Sequence, residues 1–476
     1  MQQDAYAHTS VHPDLALLEC APQGPICCLV LEGACAAPDA LGIAPFAAYC
    51  YEGGCALLFE RPQADGWQAA LEEALRAAGR TAGLSGPFAL PASAHGCMRK
   101  AQLALKTGKR LTPGRGLYPM DEYGEAALIE AAEAVLARAG LAAQDFCDAS
   151  IAEMARMDAL TGTQYAASLQ AYLNHGLDMK RAAQALGVHR NTLDYRMKRV
   201  QELFALDLAD VNTCFELLFS FWLRDNLPGG EEAAENPFDA QTAQTLLWRH
   251  VERADTASGA QAQACVPFTC RLLCVGVSRL PDAQRIALLQ AMRALMGEEG
   301  ACAFDEDVLL FALPPERMDA FAQASRPLCD ERKCQTVVTQ AFAGERISRR
   351  AWLCRMTLCA ATTMHARTQD MCSTLFFMTL EKRMSLAPYL REDVIRVMDD
   401  DAMRGAALSR AMYAYLLHFR DMKKAAAQLG VHRNTMEYQM RKIDAIIGKP
   451  ESENDRFLMM CTFRMLALPE AHRFGL

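Results

Sequence analysis

No stretch of this sequence is apolar for long enough to cross a bilayer, which takes about 20 residues. The most apolar stretches, such as Phe215 to Leu223, are far too short. The opening residues Met1 to Ser10 are polar and lack the basic-then-apolar order of an export leader. The expectation is a soluble, cytoplasmic protein with no membrane partner. An excess of positive charge is missing too. With 49 Lys and Arg against 57 Asp and Glu, the net charge is −8. A uniformly basic coat is excluded, so any nucleic-acid surface has to come from local clusters. Catalytic signatures are also absent. Gly108-Lys109 lacks the glycine five positions earlier that a phosphate loop needs, and neither HExxH nor GxSxG occurs.

Metal-ligand spacing is lacking despite 19 cysteines. Cys27, Cys28, Cys270 and Cys274 fall inside strand-like apolar runs. Cys265, Cys270 and Cys274 come closest to a ligand cluster, but the last two belong to such a run. In a chain read as intracellular these are reduced thiols acting as small hydrophobes. No metal, cofactor or catalytic group is assigned.

What is present is core material: 51% hydrophobic and 22% charged residues over 476 positions. That suits three or four domains rather than one. The chain also repeats itself. Met179 to Val200 reads MKRAAQALGVHRNTLDYRMKRV, and Met422 to Ile443 reads MKKAAAQLGVHRNTMEYQMRKI, an offset of 243 residues. Upstream, Tyr172, Leu173 and His175 align with Tyr415, Leu416 and His418. Downstream, Phe215 aligns with Phe457 after one deletion. The join is expected near Asp225 to Asp239, where Pro, Gly and acidic residues cluster.

The N-terminal parts of the two copies have diverged further. In the second, Phe268 to Val277 reads as a strand, Pro281 to Leu295 as a helix, and Ala301 to Leu313 as a hairpin turning at Asp305 to Asp307. A helix from Pro315 and a strand at Thr336 to Thr339 follow. In the first, Ile26 to Leu31 and a hairpin around Gly53-Gly54 indicate the same plan, with a shortened first helix. The glycine pair is expected to supply the positive φ angles of a tight turn. The pattern predicts an α+β layer of helices on a sheet.

The repeated segment carries the function. Met179 to Leu186 is a helix whose Ala182, Ala183 and Leu186 face one core. Gly187 ends it in a left-handed conformation, and Val188 plugs the corner. A second helix starts at His189 or Arg190 and runs to Phe204, with Leu193, Met197 and Val200 as its buried stripe. Helix, glycine turn and helix in this order make a helix-turn-helix. The outward side presents His189, Arg190, Asn191, Thr192 and Tyr195, then Lys198 and Arg199, with Lys180 and Arg181 on the first helix. The second copy presents His432, Arg433, Asn434, Thr435, Tyr438, Arg441, Lys442, Lys423 and Lys424. Met179 to Val200 holds six Lys and Arg against one acid, and Met422 to Ile443 five against one. Arg can grip guanine O6 and N7, Asn can grip adenine N6 and N7, and edge cations suit phosphates. Packing does not demand identity at outward Arg and Asn, so a shared ligand is the simpler cause of the repeated His-Arg-Asn-Thr. For Thr192 and Thr435, turn support and a phosphate contact stand level. For Tyr195 and Tyr438, half-buried packing is preferred to DNA contact. For His189 and His432, an N-cap and a base contact stand level.

The stretch AAxxLGVHRNTLxYRMKRV resembles the C-terminal helix-turn-helix of the PucR/CdaR family of bacterial transcription regulators, itself similar to the DNA-binding end of Fis. The resemblance extends through Asp158, Leu169, Tyr172 and Leu173 upstream and Leu203, Asp207, Leu208 and Phe215 to Leu223 downstream. The N-terminal part of each copy more distantly resembles the GGDEF-like domain preceding this motif in many members, through Ser85-Gly86-Pro87-Phe88 and a helix from Ala94 to Leu105. The resemblance implies an α+β multidomain chain: a degenerate GGDEF-like domain (1–125), a helix-turn-helix domain (126–227), a linker (228–240), a second GGDEF-like domain (241–385) and a second helix-turn-helix domain (386–476). It implies transcriptional control, commonly activation, with double-stranded DNA as partner. A small-molecule effector and RNA polymerase are further candidate partners, and assembly is as a homodimer or an internal pseudo-dimer.

The chain departs from the family in holding two copies, with Gln439 for Arg196 and Met436 for Leu193. Two rivals stand beside this reading. Cyclic-dinucleotide synthesis needs a carboxylate after the glycine pair, where Cys55-Ala56 stand instead. A duplicated regulator that no longer binds DNA and acts through protein–protein contacts would keep the fold but lose salt-dependent DNA binding.

Overall fold

The computed structural model describes residues 25–33, 41–51, 54–62, 64, 66–87, 94–227, 269–297, 300–305, 307–343, 347–448 and 452–468. The expected linker at 228–240, Cys265 and Phe88 lie outside them.

The first α+β segment runs β1 (Ile26–Glu32), β2 (Pro45–Tyr51), β3 (Gly54–Glu60), α1 (Trp67–Ala77), β4 (Ala82–Leu84), α2 (Ala94–Leu111), β5 (Leu117–Pro119) and α3 (Met120–Ala139). Its sheet order is β2-β3-β1-β4-β5, antiparallel except for the parallel β4–β5 pair. Strand β1 is apolar on both sides because both faces of the sheet are covered. Ile26, Cys28 and Val30 meet Cys97, Ala101 and Leu105 of α2, and Cys27, Leu29 and Leu31 meet Leu71 and Leu75 of α1. Cys27 and Cys28 are core residues as expected, and burial pushes the Cys27 thiol up to about 12.

One expectation about the β2–β3 hairpin fails. Gly53 lies outside the described residues, and Gly54 does not hold a positive φ. Glycine is needed there for close approach, because a Cβ would collide with the Leu31 backbone oxygen on β1.

A helical segment follows: α4 (Ala149–Thr161), α5 (Tyr165–Asn174), α6 (Met179–Ala185), α7 (Arg190–Phe204) and α8 (Val211–Asn226). The second α+β segment runs β6 (Thr269–Gly276), α9 (Asp282–Met296), β7 (Ala301–Asp305), β8 (Val308–Leu313), α10 (Pro315–Glu331), β9 (Thr336–Val338), β10 (Phe342–Ala343), α11 (Ile347–Ala360), β11 (His365–Arg367) and α12 (Cys372–Glu381). Its order, β11-β9-β6-β8-β7, is that of the first sheet, with β10 added on β6. Strand β6 repeats the two-sided burial, with Cys274 facing Cys354 of α11 and Val275 facing Leu288 of α9. The β1–β2 connection spans only residues 33–44, where the β6–β7 connection spans 277–300 and contains α9. The chain ends with α13 (Glu392–Arg404), α14 (Leu408–Leu417), α15 (Met422–Leu429), α16 (Arg433–Ile447) and α17 (Glu453–Leu466), which repeat α4 to α8. The architecture is α+β with two mixed sheets. Among the described residues no helix is long and apolar enough to cross a membrane.

The packing crosses the order of the chain. One compact unit joins residues 1–134, the first sheet domain, to 381–467, the second helical domain. The other takes in 135–380 together with Leu468 and joins the first helical domain to the second sheet domain.

Candidate nucleic-acid interface

Each helix-turn-helix is assembled by local rules. Asp178 caps α6, its carboxylate accepting from the Lys180 and Arg181 amides at 2.9 and 3.1 Å, and Asp421 caps α15 in the same way. The Arg181 amide leads in holding the Asp178 carboxyl below the usual carboxylate range. Gly187 and Gly430 take φ of 66° and 67° at the turn. The Val188 and Val431 amides then donate to Ala183 and Ala426, which closes the corner. His189 and His432 are N-caps. Their Nδ1 atoms accept from the Asn191 and Asn434 amides at 3.2 and 3.3 Å, and both rings stay exposed. The stripe Leu193, Met197 and Val200 is buried as expected, as are Ala182 and Ala183, while Leu186 and Val188 are half-buried.

The elements above hold both units in place. Asp158 accepts from the Tyr165 and Ala166 amides at 2.6 and 2.8 Å and so pins the start of α5. Asp401 does the same for Leu408 and Ser409 at 2.7 Å each. Asp210 caps α8, whose apolar side buries Cys214, Phe215 and Leu217.

The outward set is open to solvent. Lys180, Arg181, His189, Arg190, Asn191, Thr192 and Lys198 are exposed, and Arg199 is half-buried. In the second copy Lys423, Lys424, His432, Arg433, Asn434, Thr435, Arg441 and Lys442 are all exposed. Tyr195 and Tyr438 are 60% and 53% exposed, which overturns the packing preference. Leu193 and Met197 already fill the stripe, and the tyrosines stand outside it. Lys442 lies over the Tyr438 ring, 4.7 Å from its centroid.

Sequence reasoning missed how Arg196 is used. Its Nη1 donates to the Ser168 hydroxyl at 3.0 Å, bracing α7 on α5. In the second copy the Gln439 amide oxygen is buried and has no partner among the described residues, and the position matching Ser168 is Ala411. The offset of 243 residues would have revealed this paired change.

A family model described as the PucR C-terminal helix-turn-helix domain matches the chain twice, at residues 165–223 and 408–464. Both helical domains are PucR-type helix-turn-helix domains. The matched spans start at α5 and α14, so the PucR-type domains include the bracing helices as well as the turn. Over 66 residues the chain is 35% identical to the proline-responsive transcriptional activator PutR of Bacillus subtilis (strain 168), a match covering 14% of this chain and 16% of that protein. It is also similar, at 16% identity and a TM-score of 0.20, to the crystal structure of a regulator of polyketide synthase expression from Bifidobacterium adolescentis. That match covers 42% of this chain and 80% of the other, and the score is too low to bear on the fold.

Proposed function

We propose that this chain is a sequence-specific, DNA-binding transcription regulator, an activator, that places its two PucR-type domains on paired half-sites of one duplex. The observation that carries the reading is the identical His-Arg-Asn-Thr at the first turns of α7 and α16, capped alike and exposed alike. Arg190, Asn191, Arg433 and Asn434 are the base readers. Lys180, Arg181, Lys198, Arg199, Lys423, Lys424, Arg441 and Lys442 take phosphates. Thr192, Thr435, Tyr195 and Tyr438 flank the readers and contact the backbone. A rigid two-fold arrangement calls for half-sites one helical turn, or a multiple, apart. The two sheet domains, GGDEF-like in plan, serve assembly or an effector rather than catalysis: Cys55 and Ala56 occupy the turn of the first where a carboxylate is needed, and the turn of the second, Asp305 to Asp307, has carboxylates but no glycine. The setting is cytoplasmic, RNA polymerase is the downstream partner, and the serial limits 1–125, 126–227, 241–385 and 386–476 stand as the domain plan.

Selection of genomic fragments on the purified chain, followed by footprinting, tests this. Two protected half-sites are expected, both lost in the Arg190→Ala, Arg433→Ala double variant. Each single change should weaken the specific site by about 1–3 kcal/mol and relax base choice. Lys198→Ala should weaken all sequences alike and lower the salt slope by about one. No enrichment over random DNA at low salt would sink the proposal and favour a regulator acting through protein–protein contacts.

A further inference from the structure

We infer that the buried polar contacts between sheet and helical domains select a crossed pairing, in which each sheet domain positions the DNA-binding domain of the opposite half of the chain. The same place on each sheet does the docking. The Ser85 hydroxyl accepts from the Cys28 amide and the Thr339 hydroxyl from the Leu272 amide, both at 2.9 Å, so Gly86 and Gln340 are matching positions just beyond. Gln340 receives the first helical domain. Its amide nitrogen donates to Asp148 and its oxygen accepts from the Ala149 amide, both at 2.7 Å, at the start of α4. Gly86 lies against Glu392 at the start of α13, where Lys100 Nζ reaches the Glu392 carboxylate at 2.7 Å. That pair is enclosed, the two side chains being 12% and 8% exposed.

The matching residues are not interchangeable. Helices α4 and α13 keep the offset of 243, so Glu392 corresponds to Ala149 and Asp148 to Arg391. Docking each helical domain on its own half's sheet would leave the Lys100 ammonium facing Ala149, a buried charge without its carboxylate. It would also set Gln340 beside Arg391 instead of Asp148. A third contact agrees. Buried Glu216 of α8 accepts from the Ser373 amide and hydroxyl at 2.7 and 2.8 Å. Counted from the matched strands β5 and β11, Ser373 falls where the first sheet domain has Glu125. Serial docking would therefore bring Glu216 against a second carboxylate. Each mismatch penalises the wrong partner more than it strengthens the right one, which is how specificity between similar surfaces is set.

Hydrogen exchange on the full chain tests this without using DNA, so its failure is distinct from failure of the DNA-binding proposal. Lys100→Glu is expected to speed the slow amides of 392–404 at least about ten-fold and to leave 149–161 unchanged. Adding Glu392→Lys should restore protection. Acceleration in 149–161, no change in either segment, or no rescue by the double reversal would each overturn the inference. If Lys100→Glu does not fold, Lys100→Met and Glu392→Gln read on the same two segments decide it by the same criterion.

Discussion

Glu437 holds Arg433 at 2.9 Å, whereas the matching Asp194 of the first copy turns away from Arg190 and binds Lys198, also at 2.9 Å. Both carboxylates sit four residues from their cation, on the exposed side of the second helix of the motif. The extra methylene of Glu lets it reach back one turn, against the favoured order of acid before base. Among the described residues Arg190 has no ion-pair partner, while Arg433, as the proposed base reader, must first leave Glu437 to meet a base. The two proposed readers are therefore unequal. Glu437→Gln is expected to raise affinity through the second domain about two- to five-fold, the range of an exposed ion pair. Asp194→Asn, which releases only Lys198, proposed to take a phosphate, should change base preference little. Titration of a single half-site duplex with Arg190→Ala chains, with and without Glu437→Gln, measures the effect. An unchanged affinity would show that the Glu437 pair does not hold the reader back.

The bracing of the two motifs differs in a way stability can report. Arg196 and Ser168 satisfy each other, and Ser168 is fully buried. Removing the guanidinium in Arg196→Met leaves that hydroxyl with one partner fewer, and a loss of about 1 kcal/mol is expected. Gln439→Met, by contrast, removes an amide oxygen that has no partner among the described residues. It should be neutral or slightly stabilising. Paired thermal melts of the two variants check this, and equal losses at both positions would refute the bracing role.

The helix-turn-helix limits were legible because everything that sets them is local. A glycine at the turn, an i, i+4, i+7 stripe and a polar cap all lie within one short window. The order of strands in the second sheet domain was legible for the same reason, from Thr269–Gly276 through Thr336–Val338. The role of Arg196 was not, since its partner is 28 residues away on another helix. Tyr195 was misjudged because periodicity places it at the edge of the stripe, and only the neighbouring side chains decide whether an edge position is covered. The crossed docking was out of reach altogether. Lys100 and Glu392 are 292 residues apart, and a buried ion pair leaves no periodic trace.

Close packing in the first sheet domain makes a sharp prediction at Gly108. This glycine sits in the last turn of α2, and a Cβ there would overlap the ring of Tyr118, which is fully buried and donates its hydroxyl to the Thr112 carbonyl at 3.1 Å. Gly108→Ala would gain helix propensity in an isolated helix, yet here overpacking should dominate, with a net loss of about 1–3 kcal/mol. Denaturant unfolding of the variant measures it. A stabilised variant would mean that α2 can move off β5.

Acid should loosen the DNA-binding domains through their caps. Burial pushes the Asp210 carboxyl up, but the Thr213 hydroxyl and the Thr213 and Asn212 amides outweigh it and hold the group below the usual carboxylate range. Asp455 is likewise held low, its burial outweighed by the Ser452 hydroxyl and Arg391. A carboxylate lowered in the folded state contributes stability that is complete above the unfolded value, near about 4, and lost as pH falls through the folded one. Helices α8 and α17 should therefore fray below about pH 4, while stability between pH 6 and 8 owes nothing to the titration of these groups. Circular dichroism melts from pH 6 down to 2 measure the acid limb. Asp210→Asn keeps an acceptor for the cap but does not titrate, so its stability should fall less steeply below pH 4 than that of the unaltered chain. An equal slope in both proteins would show that folding does not hold the Asp210 carboxyl below its unfolded value.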